Sequence, residues 1–282
     1  MQIIEPGTLY VVGVPIGNLE DITLRAMRVL GGVDLIACED TRRTGQLLSL
    51  LRIDRRPMIS VHDHNEAARV EGIVERLREG QSIALVSDAG TPAISDPGYR
   101  VVKAVAEADL PVVPIPGPCA AVVALSAAGL PTDRFLFVGF VPSKAEGRRK
   151  ALVALAAVRE TLVFYESPHR LVAFLESARD TLGADRPVTI ARELTKRFEE
   201  FRRGTLGELA ETPGVIRGEV VVVIGGAPEI AAPEGDALDT LLLELLAEGL
   251  SPSRAAKEAT RRAGVRKRDA YQRLTQITDE GR

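Results

Sequence analysis

The sequence predicts an α/β protein made of two consecutive α/β domains and a small all-helical C-terminal domain. Three observations carry this reading. Over residues 1–133, short apolar runs alternate with stretches of helical period, the pattern of a parallel sheet covered by helices on both faces. Over 134–226 the runs continue, but a possible antiparallel hairpin through 197–203 mixes the strand directions. From 236 to 282 every periodic stretch is helical.

In order, the strand-like runs of the first domain are 9–14, 35–38, 58–61, 83–86 and 112–115, with helices between them near 22–31, 43–52, 66–79 and 99–108. The third of these helices sets its apolar residues three and four apart, along one helical face. A further helix over 119–128 stops at Gly129 and Pro131, both helix-ending residues. The second domain carries strands near 135–140, 161–165, 187–192 and 219–224, and helices near 146–157 and 168–182. Residues 227–235, with two prolines and a glycine, read as a linker. In the tail, 238–247 is strongly apolar on one face, and Ser251-Pro252 supplies an N-cap followed by proline at the first helical position. Gly264 separates 252–263 from 266–277, giving a helix–turn–helix shape.

Charge is spread unevenly. The whole chain of 282 residues balances 36 Lys and Arg against 39 Asp and Glu. Residues 250–275 hold eight basic residues against the acidic Glu258 and Asp269. Arg254, Lys257, Arg261, Arg262, Arg266, Lys267 and Arg268 make this tail the expected polyanion contact. Cys38 and Cys119 lie far apart with no C-x-x-C, which argues against a disulfide framework or a zinc knuckle. His62-x-His64 alone is too little for a metal site, so none is expected. The chain shows no basic-then-apolar leader, and its apolar runs at 120–125 and 220–224 are too short to span a bilayer. A soluble cytoplasmic protein with no membrane partner is expected.

The densest chemistry lies at strand ends. After the run 83–86 comes Ser87-Asp-Ala-Gly-Thr-Pro-Ala-Ile-Ser-Asp-Pro-Gly98. Gly90 admits close approach of a ligand, and Pro92 and Pro97 shape the loop in advance. The carboxylates of Asp88 and Asp96 suit a ligand that is cationic or rich in hydroxyl donors, not a pyrophosphate. The first βα turn, Gly13-Val-Pro-Ile-Gly17, matches neither G-x-G-x-x-G nor G-x-x-x-x-G-K-[ST], and Pro15 stands where a phosphate loop needs a donor. Pro116-Gly-Pro-Cys119-Ala120 opens a helix of small residues, which lets a flat ring or a carboxylate come close. Phe164-Tyr165-Glu166-Ser-Pro-His169-Arg170 packs five functional groups into the end of one strand, and 191–200 and 217–219 repeat the pattern at two more.

GVPIGNLEDIT, EDTRRTGQLL, SDAGTPAISDPG, PIPGPCAAVVALSAAGLP, FVGFVPSK, FYESPHR and ARELTKRFEE together resemble the tetrapyrrole-methylase fold class, the class III methyltransferases. Within it the chain resembles the ribosomal RNA small-subunit methyltransferase I family over about residues 7–226, and its helical tail fits that family's appended domain. The resemblance implies S-adenosylmethionine-dependent 2′-O-methylation of a cytidine in small-subunit (16S) ribosomal RNA, as naked RNA or assembled particle, by a homodimer. It implies a cofactor in the cleft between the two α/β domains, against Gly13, Pro15, Asp88, Gly90, Thr91, Cys119, Ala120, Tyr165, Leu194 and Glu219. Cys119 departs from the serine expected in that motif. A ribose hydroxyl needs a proton acceptor to become a good nucleophile. Glu166, His169, Glu193 and Lys196 are the candidates, and the sequence does not choose among them. Two other readings compete: C-methylation of a tetrapyrrole, and a non-catalytic RNA-binding protein that keeps the fold. The basic tail and the basic segments at 42–43, 52–56 and 144–150 favour RNA over a tetrapyrrole.

Overall fold

The computed structural model describes residues 4–62, 65–212, 214, 217–228, 236–263 and 265–280. The chain divides into two compact units, Met1–Ala227 and Pro228–Arg282.

The larger unit begins with β1 (Leu9–Val12), α1 (Leu24–Gly32), β2 (Leu35–Cys38), α2 (Thr41–Leu50), β3 (Met58–Ser60), α3 (Glu66–Arg78), β4 (Ile83–Val86), α4 (Tyr99–Glu107), β5 (Val112–Ile115) and α5 (Ala120–Ala128). The five strands form one sheet in the order β3-β2-β4-β1-β5, parallel throughout. Alternation explains how both faces are filled. Ile36 and Cys38 point into a core with Val12, Leu30 and Leu48, while Leu35 and Ala37 point into another with Leu9, Ile73 and Val105. After β1 the chain winds one way along the sheet, and after β4 it winds the other. These two strands are neighbours, so the crevice at their carboxyl ends is a topological switch point, where open α/β sheets take ligands.

The second half runs β6 (Phe135–Gly139), α6 (Ala145–Val153), β7 (Thr161–Glu166), α7 (Pro168–Leu182), β8 (Pro187–Arg192), β9 (Glu200–Thr205), α8 (Leu206–Glu211) and β10 (Val220–Ile224). Its sheet order is β6-β7-β10-β8-β9, with β6–β7 parallel and the other pairs antiparallel. One face packs Phe164, Ile190 and Val222 against Phe174 and Leu209 of α7 and α8. The other packs Val163, Ala191 and Val221 against Ala124 and Leu125 of α5. The last helix of the first half therefore covers the second sheet.

Three details differ from the sequence expectation. The run 9–14 stops as a strand at Val12, and Val14 instead exchanges hydrogen bonds with Gly90 across the switch point, at 2.9 and 3.0 Å. The helix expected to 157 ends at Val153, where bonds from Leu155 to Leu152 and from Ala156 to Val153 tighten the chain into a 3₁₀-like turn. The short helix α8 was not expected. Its capping box, with Thr205 and Glu208 each bonding the other's backbone N–H, starts it.

The smaller unit holds α9 (Asp236–Ala247), α10 (Pro252–Ala263) and α11 (Lys267–Glu280) around Leu242, Leu245, Ala255, Ala259, Ala270 and Leu274. Arg273 pairs with Asp239 and Arg262 with Glu248, tying the helices by charge as well. Gly264 and residues 229–235 of the expected linker lie outside the described residues, as does His64.

Candidate functional site at the switch point

The turn after β1 lies directly on the segment before α5. A Cβ added at Gly13 would sit 2.7 Å from the Gly117 Cα, and one added at Gly117 equally close to Gly13. Only two glycines permit this approach. It brings Pro118 beside the loop after β4, where the Pro118 carbonyl accepts from the Thr91 hydroxyl at 3.2 Å. Gly90 turns the chain there with φ +76.

These contacts frame a cavity of about 320 Å³ between the two halves of the larger unit. The first half contributes Ile16, Gly90, Thr91, Asp96, Cys119 and Ala120. The second contributes Phe140, Tyr165, Glu166, Leu194 and Glu219. Of the sequence-expected positions, Gly90, Thr91, Cys119, Ala120, Tyr165, Glu166, Leu194 and Glu219 thus meet at one place. Gly13 and Pro15 lie outside the lining, and so does Asp88. The Asp88 carboxylate accepts from the Asp40 N–H at 3.1 Å and pairs with Arg43 at 3.1 Å, holding the start of α2.

Tyr165 stands in the middle of the wall. Its hydroxyl accepts from the Ala121 N–H at 3.1 Å, and its ring meets Phe137 and Phe140 edge-on with centroids 5.0 and 5.7 Å apart. Burial, helped by the Cys119 thiol 4.0 Å away, pushes the phenol well above its usual pKa, so it stays a neutral hydrogen-bonding group.

The four candidate proton acceptors separate. Glu166 ends β7 with its side chain fully buried. Its Oε1 accepts from the Ser167 N–H at 2.8 Å and lies 3.2 Å from the Arg170 guanidinium. Its Oε2 is buried with no hydrogen-bond donor among the described residues. Buried carboxylate oxygens are nearly always satisfied, so such an atom in a cavity wall is a place for a ligand's donor. His169 is exposed and outside the lining. Glu193 and Lys196 bind one another at 2.9 Å on the loop after β8, also outside the lining, and Lys196 reaches the Glu219 carboxylate at 3.1 Å. The Lys196 hydrogen bond holds Glu193 below the usual carboxylate range. Burial works against the Lys196 charge, but Glu193 and Glu219 outweigh it and hold its pKa above the usual lysine value. The lysine stem crosses Gly17, where a Cβ would come within 2.5 Å of Lys196 Cγ.

The sequence does not point to Ile16 or Phe140 as lining residues, whereas Asp96, one of the two loop carboxylates that suit a cationic ligand, does line the cavity. Phe140 follows a glycine at a strand end, a position whose direction no alternation rule gives.

In the tail, Arg254, Lys257, Arg266, Lys267 and Arg268 are exposed and have no carboxylate partner among the described residues. Arg261 and Arg262 are engaged with Glu258, whose carboxyl they hold down to about 2, and Arg262 also with Glu248.

Comparison with known proteins agrees with this geometry. The family described as Tetrapyrrole (Corrin/Porphyrin) Methylases matches residues 8–210, and the RsmI C-terminal HTH domain matches 231–278. Ribosomal RNA small subunit methyltransferase I of Escherichia coli O157:H7 is 52% identical, covering 94% of this chain and 93% of that one. The protein of the same name from Micromonospora olivasterospora is 47% identical, covering 97% and 88%. The crystal structure of uroporphyrin-III C-methyl transferase from Thermus thermophilus complexed with S-adenyl homocysteine has a TM-score of 0.53 at 21% identity, covering 77% of this chain and 96% of that one, and shows the shared fold. The chain belongs to the ribosomal RNA small subunit methyltransferase I family, within the tetrapyrrole methylases.

Proposed function

We propose that this protein transfers the methyl group of S-adenosylmethionine to the ribose 2′-oxygen of a cytidine in small-subunit (16S) ribosomal RNA. The observation that carries the chemistry is the donorless Glu166 Oε2 in the wall of a switch-point cavity. The near-full-length likeness to proteins named for small-subunit ribosomal RNA supports the substrate.

The residues present fit the cofactor. Its nucleoside suits the apolar surfaces of Ile16, Tyr165 and Leu194 and the close approach that Gly90 permits. Its sulfonium suits a lining that holds Asp96, Glu166 and Glu219 and neither Lys nor Arg. Bound there, it supplies an electrophilic methyl carbon whose sulfur leaves as a neutral thioether. Glu166 Oε2 accepts the proton of the ribose hydroxyl while Ser167 and Arg170 hold Oε1 in place. Such proton transfer contributes about 10²–10⁴ in rate. The apolar walls exclude water, and the fixed strand-end loops hold the reactants close.

The reading extends to the partners. The five tail cations that have no carboxylate partner among the described residues neutralise RNA phosphates, on naked RNA or on the assembled particle. The protein works as a homodimer in the cytoplasm. Among the described residues no helix is long and apolar enough to cross a membrane. Light scattering showing a monomer at micromolar concentration would remove the dimer.

The central experiment offers isotopically labelled S-adenosylmethionine with small-subunit RNA, with small-subunit particles and with a porphyrinoid. Label in 2′-O-methylcytidine after nuclease digestion is the expected result. Label on the porphyrinoid would restore C-methylation, and cofactor binding without transfer to any acceptor would leave an RNA-binding protein. In calorimetry, Gly90→Val should bind the cofactor far more weakly while staying folded, because a Cβ there meets Ile16 at 3.3 Å and the backbone is left-handed.

A further inference from the structure

Phe140 lines the cavity and yet is 57% exposed, and Ile94, also in the lining, is 42% exposed. Both therefore stand at the mouth. The chain goes to some length to put them there. The register between β6 and β7 shifts between Phe137 and Gly139, and Gly139 takes φ +70, so the strand is bent just before Phe140. Facing it, Ile94 sits between Ala93 at φ +67 and Ser95 at φ +61, left-handed conformations that cost energy in residues other than glycine. The two bent segments abut, since a Cβ at Gly139 would meet the Ser95 hydroxyl at 3.0 Å. The Phe140 ring is backed by Tyr165 at 5.7 Å and 64°, so it is braced from the cavity side and open to solvent beyond.

We propose that Phe140, flanked by Ile94, is the platform on which the target nucleobase lies, leaving its ribose on the inner side with Glu166. This rests on the RNA methyltransferase reading above. Glu166 is fully buried in the cavity wall, so a ribose reaches it only when its nucleotide turns out of the stack and carries its base to the cavity mouth. Protein aromatic rings receive such bases by stacking. Stacking tolerates any base, so Phe140 positions the nucleotide without choosing cytidine.

The test compares wild type with Phe140→Ala and Phe140→Trp in three measurements: S-adenosylmethionine binding by calorimetry, methylation at limiting RNA, and methylation of an RNA whose target nucleotide lacks its base. Phe140→Ala should leave cofactor affinity within about twofold and lower methylation of intact RNA by about tenfold or more, the scale of one lost stacked base. Phe140→Trp should restore most of it. On the abasic RNA, wild type and Phe140→Ala should perform alike, because the ring then has nothing to hold. A parallel loss of cofactor affinity in a variant with unchanged circular dichroism would assign the ring to the cofactor and overturn the proposal. Full activity of Phe140→Ala, or an equal penalty on abasic RNA, would overturn it as well. If wild type methylates no RNA, the underlying reading fails instead.

Discussion

Glu166 ends β7 and Glu193 follows the end of β8, the two strands that flank β10. Val220 of β10 lies opposite Glu166 on one side and Arg192, the residue before Glu193, on the other. In sequence the two carboxylates look alike, each with an arginine within four residues at a strand end. In the structure they have opposite fates. Glu193 Oε1 receives the Lys196 ammonium at 2.9 Å and the Glu219 N–H at 3.0 Å, whereas Glu166 keeps one buried oxygen with no donor among the described residues. The donors folded around a carboxylate, more than the carboxylate itself, decide whether it serves as a brace or as an acceptor for a substrate proton.

Exchanging one oxygen for an amide breaks this comparison most directly. Glu166→Gln should lower methyl transfer by about 10²-fold or more, the scale of general base catalysis, and cofactor affinity far less. Glu193→Gln should change turnover far less, by about threefold, and act on the loop's stability instead. Single-turnover methylation with calorimetric cofactor binding reads both variants. Equal losses at the two positions would mean that the open oxygen of Glu166 has no special role.

Much of this was legible beforehand. Strands at 35–38, 83–86, 112–115 and 187–192 and helices at 168–182 and 252–263 fall where periodicity put them, because continuous burial and helical spacing are local properties of sequence. The alternation of apolar runs and helical stretches carries the fold class, and the family resemblance, with the functional groups at the end of β7, carries eight positions of the cavity wall. The split among Glu166, His169, Glu193 and Lys196 could not. It depends on Lys196 crossing Gly17, which comes from the other half of the unit, and on β10 bringing Glu219 alongside. Phe140 stayed hidden because a bulge, not alternation, aims it.

The same contrast of open and closed charge recurs in the tail with a smaller expected effect. Among the described residues Arg266, Lys267 and Arg268 carry no carboxylate partner, while Arg261 and Arg262 share Glu258. Replacing the three open residues by glutamine should weaken RNA binding about tenfold or more at moderate salt and reduce the salt slope by about one unit per lost phosphate contact. Arg262→Gln should leave that slope unchanged. Filter binding across a salt series decides, and equal slopes for wild type and the triple variant would take the open cations off the RNA. Deleting 236–282 should leave cofactor affinity intact, since every lining residue of the cavity precedes Ile224.

The smallest effect sharpens the closed side of the comparison. Lys196→Met keeps the stem that packs on Gly17 and removes only the ammonium, so the loss should be about 1 kcal/mol near neutral pH, as for a partly exposed ion pair. Its pH dependence follows from the two shifts. Glu193 is held below its unfolded pKa, so its share of the stability is present above about 4.3 and fades as pH falls through the lower folded value. Lys196 is held above its unfolded pKa, so its share is present below about 10.4 and fades as pH rises through the higher folded value. The stability difference between wild type and Lys196→Met should therefore form a plateau between these limits and shrink on both sides. Denaturant unfolding at a series of pH values measures it. No difference at any pH would show that the lysine acts through its hydrocarbon stem alone, and the Glu193 end of the comparison would lose its electrostatic basis.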